Sequence, residues 1–355
     1  MKRVGNLYSQ IYDIDNLRLA HKNARRGKTW YKEVQMVDSD PDYYLGKLQE
    51  SLINQTYYTS EYEIFTKNDT GKQREIYKLP YYPDRICQWA IIQVIEKYLI
   101  KHFTDNTYSA IPRKGIHYGV RKIKKQIKED DSIFGLYCLK FDVSKYYPSI
   151  NQGILKQQYR RLFKDKQLLW LLDEIIDSVE NGVPIGNYLS QYSGNLYLSW
   201  FDHWIKEEKH VKYYHRYMDD VVILDYDPSR LHTLFREIET YLRDNLKLTI
   251  KHNYQIFPID SRGVDFLGYR FFKGYTLLRK RTVKAIKKKC KKGMNEQSRQ
   301  SYIGWLKHCN GYRFTQKYLR GEINDSIQRR TQHNNACCDR GPRNQSVCLQ
   351  RHCGE

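Results

Sequence analysis

The stretch Tyr213-Tyr-His-Arg-Tyr-Met-Asp-Asp-Val-Val-Ile-Leu224 limits what this chain can fold into more than any other. Residue types that favour strands lie on both sides of a short acidic turn, which predicts a β-hairpin carrying Asp219 and Asp220 at its tip. Adjacent carboxylates repel, and water, basic partners or a metal ion must offset that repulsion. Taken alone, an Asp-Asp pair is an ordinary solvated turn. It becomes a site only if the rest of the chain supplies a third acid, a phosphate-binding surface and a channel for nucleic acid.

The charge balance points to such a channel. Among 355 residues, Lys and Arg number 61 against 40 Asp and Glu, a formal net charge of +21, and there are 32 Tyr. Excess cation interleaved with aromatic rings suits a partner rich in phosphates and flat bases. Apolar residues make up 40%, which supplies a core and argues against a disordered chain. No apolar run reaches the roughly 18–20 residues of a membrane helix. The basic start Met1-Lys-Arg lacks the apolar stretch of a signal peptide, so a cytoplasmic location and no membrane partner are expected. Cys87, Cys138, Cys290 and Cys309 stand singly; Cys337, Cys338, Cys348 and Cys353 crowd the tail with His333 and His352 in no standard zinc spacing.

The third acid comes from elsewhere. Ile133-Phe-Gly-Leu-Tyr-Cys-Leu-Lys-Phe141 is almost continuously apolar and ends at Asp142, as a buried strand does when it delivers one carboxylate to a sheet edge. A carboxylate buried there without a partner would be costly. Upstream, strand residues from Tyr62 to Tyr77 surround the turn Asn68-Asp-Thr-Gly71, so a basic hairpin with Lys67, Lys72 and Arg74 near its tip is expected. Such a hairpin could close on a triphosphate, with Arg74 binding it bidentately. Residues 1 to about 55 read as helical. Ile86, Trp89, Ala90, Val94, Ile95 and Leu99 form an apolar stripe at helical spacing. The loop Asn181 to Gln191 is punctuated by Pro184 and Gly186, where small residues let a ligand approach the backbone. From about residue 273 the chain is densely basic, with Arg279 to Lys292 able to neutralise many phosphates.

A βαββαβ palm would set Asp142 beside the hairpin tip. Three carboxylates converging there suit two Mg²⁺ ions, hard cations that take oxygen ligands. Two metals about 3.5–4 Å apart activate an attacking hydroxyl and stabilise the leaving group in phosphoryl transfer. With basic fingers, that constellation describes a nucleotide polymerase.

At these residues the chain resembles the reverse transcriptases of prokaryotes. Tyr217-Met-Asp-Asp220 looks like their catalytic motif, and Phe141-Asp-Val-Ser-Lys-Tyr-Tyr-Pro-Ser-Ile150 like their first palm motif. Phe266-Leu-Gly-Tyr269 is similar to their primer grip, and Lys67 to Arg74 to their fingertip hairpin. The resemblance covers about residues 60–320. It implies an α+β right-hand polymerase fold with fingers, an antiparallel-sheet palm and a helical thumb. The implied boundaries are an N-terminal extension and fingers over 1–135, a palm over 136–272 with finger helices 153–180 interleaved, a basic thumb over 273–330, and a disordered tail over 331–355.

The resemblance also implies roles. Asp142, Asp219 and the Val143 carbonyl would hold two Mg²⁺ ions, for which Mn²⁺ could substitute, and Asp220 would complete the acidic cluster. Lys67 and Arg74 would bind the triphosphate of a dNTP, with Arg85 and Arg113 as further basic contributors. Tyr147 would be the gate against a ribose 2′-hydroxyl, and Ile185, Gly186 and Gln191 would border the nucleotide. Met218 would lie under the primer terminus, with Phe266, Leu267, Gly268 and Tyr269 gripping the primer on an RNA template.

Two departures matter. Ile185-Gly-Asn-Tyr-Leu-Ser-Gln191 stands where most of the family has Gln-Gly-x-x-x-Ser-Pro, and this variant is similar to that of the diversity-generating retroelements, whose enzymes copy RNA with errors at adenines. That subtype implies a small basic accessory protein and a dedicated structured RNA as partners. A phage-defence reverse transcriptase is the alternative within the family, and a non-catalytic RNA-binding scaffold the alternative outside it. Second, Asn253 stands where the family often has a general-acid lysine, leaving Lys247 and Lys251 as substitutes.

Overall fold

The computed structural model describes residues 2–69, 72–129 and 135–320. The expected tail over 331–355 and the start of the apolar run, Ile133 and Phe134, lie outside the described residues. The chain divides into two units. One runs through Leu267 and takes in Phe271–Gly274; the other takes Gly268–Arg270 and the chain from Tyr275 onward.

Four helices open the first unit: Tyr8–Tyr12, Ile14–Ala24, Lys32–Ser39 and Pro41–Ile53. The Asp13 carboxylate caps the second by accepting from the Asp15 and Asn16 N–H groups, and Asp40 with Pro41 starts the fourth. Leu17, Ala20 and Ala24 face the helix Ile86–His102, where the Asn16 side chain donates to the Ala90 carbonyl. Between them stands the hairpin of β1 (Glu63–Asp69) and β2 (Lys72–Lys78), with Lys67 opposite Arg74 and Phe65 opposite Ile76. The apolar stripe on Ile86–His102 is core except for Trp89, which is half-buried and stacks on Tyr188 with ring centroids 4.4 Å apart.

The palm is a four-stranded antiparallel sheet. β3 (Tyr137–Asp142) lies between β5 (Asp220–Asp225) and β6 (Gln255–Pro258), and β4 (Tyr213–Tyr217) pairs with β5 on the outside. The order β4-β5-β3-β6 follows from a βαββαβ chain. Central position explains the apolar reading of β3 and β5: β5 is buried except at its ends, and β3 except at its ends and at Lys140. Register is set there too, because a slip of one residue would turn Leu139 and Phe141 out of the core. It places Asp142 opposite Asp220 and Phe141 opposite Val221. The helix Pro228–Leu246 covers the sheet with Leu231, Phe235, Ile238 and Leu242 buried.

Beneath the palm hairpin is an ion pair that the sequence does not announce. Arg216 on β4 and Asp202 are both completely buried; the Arg216 Nη2 is 2.5 Å and its Nε 2.7 Å from the Asp202 carboxylate. The same carboxylate accepts from the Tyr214 hydroxyl at 2.5 Å and from Thr107 Oγ1 at 3.0 Å. With these partners the pair is fully hydrogen-bonded, which its burial requires.

The second unit holds Thr276–Leu278 and the helices Lys280–Lys292, Glu296–Leu306 and Tyr312–Thr315. Its basic helix buries Ile286 and exposes most of its lysines. Within this unit Tyr269 stacks on Trp305, and its hydroxyl donates to the Trp305 carbonyl at 2.9 Å. No helix among the described residues is long and apolar enough to cross a membrane.

Removing one partner of a buried pair leaves the other charge uncompensated. Asp202→Asn is therefore expected to destabilise the first unit by about 3–5 kcal/mol, read as a lowered midpoint in urea unfolding followed by circular dichroism. A midpoint equal to wild type would show that the pair does not hold the palm.

Candidate active site

The hairpin tip is a two-residue turn, Met218–Asp219, since Tyr217 pairs with Asp220. Met218 has φ of 54°, a left-handed conformation that costs an L-residue roughly 1–2 kcal/mol. Arg216 Nη1 donates to the Met218 carbonyl at 2.9 Å, so the buried ion pair holds the strained turn. The Met218 thioether lies 3.7 Å from the Tyr147 hydroxyl.

The three acids do not all meet at one point. Asp142 and Asp219 lie within hydrogen-bonding reach, and burial first, then the Asp142 carboxylate, pushes the Asp219 carboxyl up from an ordinary 3.8 to about 8. Asp220 turns to Lys140, whose Nζ is 3.3 Å from its Oδ1. Lys251 places its ammonium on Asp142 Oδ2, and its N–H donates to the Asp142 carbonyl at 2.9 Å. Among the described residues no cluster of three or more His, Cys, Asp or Glu side chains is arranged to hold a metal. The donor set nevertheless fits hard cations: it is all oxygen, and an ammonium already neutralises Asp142 where a cation would. Of the two lysines left open by the sequence, Lys251 reaches the acids, whereas Lys247 donates to the Asp244 carbonyl. Val143, next in the chain, bridges to Ile250.

The loop Asn181 to Gln191 joins this centre to the fingers. Gly182 has φ of 69°, and a Cβ there would stand 2.4 Å from the Tyr147 carbonyl oxygen; the Val183 N–H donates to that same oxygen. At Gly186, φ is 135° and a Cβ would stand 2.3 Å from the Tyr77 carbonyl oxygen. Only glycine fits either position. The Tyr77 N–H donates to the Ile185 carbonyl, so this loop lies against β2. Gln191 is exposed on the helix Tyr188–Tyr197. Lys67 and Arg74 are exposed cross-strand partners on the hairpin.

The four primer-grip positions fall in both units. Phe266 is buried, its ring 6.3 Å from that of His215 on β4, and Leu267 at φ of 52° rests on Gly119. Gly268 and Tyr269 belong to the second unit, where both lie against Trp305. Sequence reasoning passed over Arg216, Asp202, Lys140 and His215. His215 is buried, accepts from the Tyr108 hydroxyl at 2.6 Å and is 2.6 Å from Gln126 Oε1, and burial followed by Lys122 lowers its pKa to about 3, so it is neutral. The motif position of Arg216 beside Tyr217 was a signal; nothing in the chain near Asp202 was one.

A palm of this topology, with an acid on the central strand facing an acidic hairpin, defines a right-hand nucleic-acid polymerase. Residues 65–271, more than half of the chain, match the family model of reverse transcriptase (RNA-dependent DNA polymerase). The chain belongs to the reverse transcriptase family and is an RNA-directed DNA polymerase, a nucleotidyltransferase. It is similar to Protein YkfC of Escherichia coli K12, 23% identical over 261 residues, which are 62% of this chain and 67% of that protein. Telomerase from Candida albicans, solved with a fragment of telomeric RNA, superimposes with a TM-score of 0.50 at 11% identity, over 71% of this chain and 56% of that one. The chain thus spans little more than half of that neighbour, and the likeness shows the shared fold.

Between about 4 and 8 the folded protein holds a proton on Asp219 that the unfolded chain has lost, so stability falls as pH rises through that window. In metal-free buffer, Asp219→Asn is expected to raise Tm at pH 8 by about 2–4 °C and to flatten the fall between pH 5 and 8. Differential scanning fluorimetry reads both, and a lower Tm for the variant at pH 8 would refute the shift.

Proposed function

We propose that this chain makes cDNA on an RNA template by metal-assisted nucleotidyl transfer, as the error-prone enzyme of a diversity-generating retroelement. The observation that carries the chemistry is Asp142, delivered by β3 to lie against Asp219 on the hairpin. Asp142, Asp219 and the Val143 carbonyl are the groups that would hold two Mg²⁺ ions, with Mn²⁺ as a substitute and Asp220 near them on Lys140. Those cations would activate the primer 3′-hydroxyl and offset charge on the departing pyrophosphate. With cations bound, Lys251 would give up its place on Asp142 and Asp219 would lose its proton, which ties metal binding to a rise in stability.

The chain's own groups position the reactants. Tyr147, against Met218 and Gly194, closes the floor where a ribose 2′-hydroxyl would project. Lys67 and Arg74 would take the triphosphate, Met218 the primer end, and Phe266 to Tyr269 the primer strand. Ile185 supports the error-prone reading. Its backbone is tied to β2, yet its side chain offers no hydrogen bond where most of the family has glutamine, so selection at the nascent pair rests on shape alone. A small basic accessory protein and a dedicated structured RNA belong to the same proposal.

Purified protein with Mg²⁺, dNTPs and a primed RNA is expected to extend the primer. Asp219→Asn should reduce incorporation by at least about 10³-fold, beyond the loss of a single electrostatic group; extension at the wild-type rate in that variant would sink the mechanism. Sequencing the cDNA should show errors concentrated at template adenines, and Ile185→Gln should lower them. An error spectrum indifferent to residue 185 would remove the retroelement reading while leaving the polymerase intact.

A further inference from the structure

Lys140 is the one charge within β3 ahead of its terminal Asp142. A central strand is ordinarily apolar throughout, and the flanking residues Leu139 and Phe141 are buried. Lys140 stands opposite Val222 on β5, and Val222 stands opposite His215 on β4. Residues directly opposite in a sheet share a face, so His215, Val222 and Lys140 form one row across the palm. Tyr217, Asp220 and Asp142 form the next row on that face, one side-chain pair nearer the hairpin tip.

The segment Val264–Phe266 is fastened to the first row at two points. Lys140 Nζ donates to the Asp265 main-chain carbonyl, and the buried Phe266 ring stands 6.3 Å from the ring of His215. His215 is held in turn by the Tyr108 hydroxyl at 2.6 Å. Tyr108 also borders Gly119, where a Cβ would stand 2.5 Å from Leu267 Cδ1 and 2.7 Å from Tyr108 Cδ2. From the second row Asp220 reaches back along the diagonal, with Lys140 Nζ 3.3 Å from its Oδ1 and 3.4 Å from its Oδ2. One ammonium thus bonds both the main chain beside Phe266 and the acid that follows the catalytic turn. The packing of Phe266 on His215 resists separation but has no direction. A charge-assisted hydrogen bond fixes distance and direction together.

We propose that Lys140 is a positioning residue of the polymerase. Its ammonium sets the distance between the Asp265–Leu267 segment and the acid row. A primer strand gripped by that segment then brings its 3′-hydroxyl to Asp142 and Asp219. The proposal rests on the polymerase reading above and adds one residue to its site. Lys140 acts through the main chain of Asp265 and through Asp220, from the row behind the acids, whereas Lys251 lies on Asp142 itself. Asp220 has a part in this arrangement as the counter-ion that keeps the ammonium pointed along the strand.

The test follows single-turnover extension of a primed RNA at saturating dNTP, and measures affinity for the same primed RNA by fluorescence anisotropy with Mg²⁺ and no dNTP. Lys140→Met keeps the length of the stem and removes the donors. It is expected to slow the single-turnover rate by about ten- to a hundredfold, the scale of a misplacement of roughly 1 Å, while affinity stays within about twofold. Lys140→Arg, which keeps a charged donor, should return most of the rate. A 2-aminopurine at the primer 3′ end should show lower anisotropy in the Lys140→Met complex, and the same probe well inside the duplex should not change. A rate equal to wild type, affinity lost in step with the rate, or a primer end as rigid as in wild type would each overturn the proposal. So would a fall in Tm as large as that of Asp202→Asn, which would make Lys140 a structural group. The two levels fail differently: a wild type that never extends refutes the polymerase reading, and a wild type that extends while Lys140→Met keeps pace refutes only the role of Lys140.

Discussion

The buried pair of Arg216 and Asp202 is the interaction on which the catalytic hairpin depends. A guanidinium has five donors in a fixed fork, and here they are shared between the Asp202 carboxylate, the Met218 carbonyl, Thr107 and Asn195. Three of those partners, Asp202, Thr107 and Asn195, belong to elements outside the sheet, so Arg216 ties β4 to the helix Ser199–His203, to the segment Asn106–Tyr108 and to the helix Tyr188–Tyr197. Main-chain bonds repeat the tie: the Arg216 N–H donates to the Asn106 carbonyl, and the Tyr108 N–H to the Arg216 carbonyl. A strained turn at Met218 persists only when its surroundings over-determine it, and these contacts do so.

From that anchor the site extends in one direction through glycine. Gly182 lets the loop rest on the Tyr147 backbone, and Gly186 lets the same loop reach the Tyr77 backbone. Tyr147 and the finger hairpin are therefore linked through this loop by main-chain hydrogen bonds. Ile185 sits within this linkage. Its side chain is free to differ from the family pattern because its structural duty is carried by its carbonyl.

Function and stability pull apart at the acids. Asp142 and Asp219 are brought close enough that one must hold a proton without a cation, and Lys251 and Lys140 partly neutralise the cluster. Like charges are held together there with little water, at a cost to the free protein.

Much of this was readable from the chain. An apolar run ending in Asp142 and strand residues flanking Asp219–Asp220 determine two strands and the ends that carry acids, because strand propensity and burial act locally. The finger hairpin and the apolar helix Ile86–His102 are legible for the same reason. Tertiary structure decided what periodicity cannot express. It divided the acids, setting Asp219 against Asp142 and Asp220 against Lys140, because neighbouring residues at a turn diverge. It chose Lys251 over Lys247 as the lysine at Asp142, through the pairing of residues near 250 with the end of β3. It brought Asp202 to Arg216 across a gap in the chain that no local pattern spans. Residue types fix which charges the chain owns; only packing, which sets distance and excludes water, decides which of them meet.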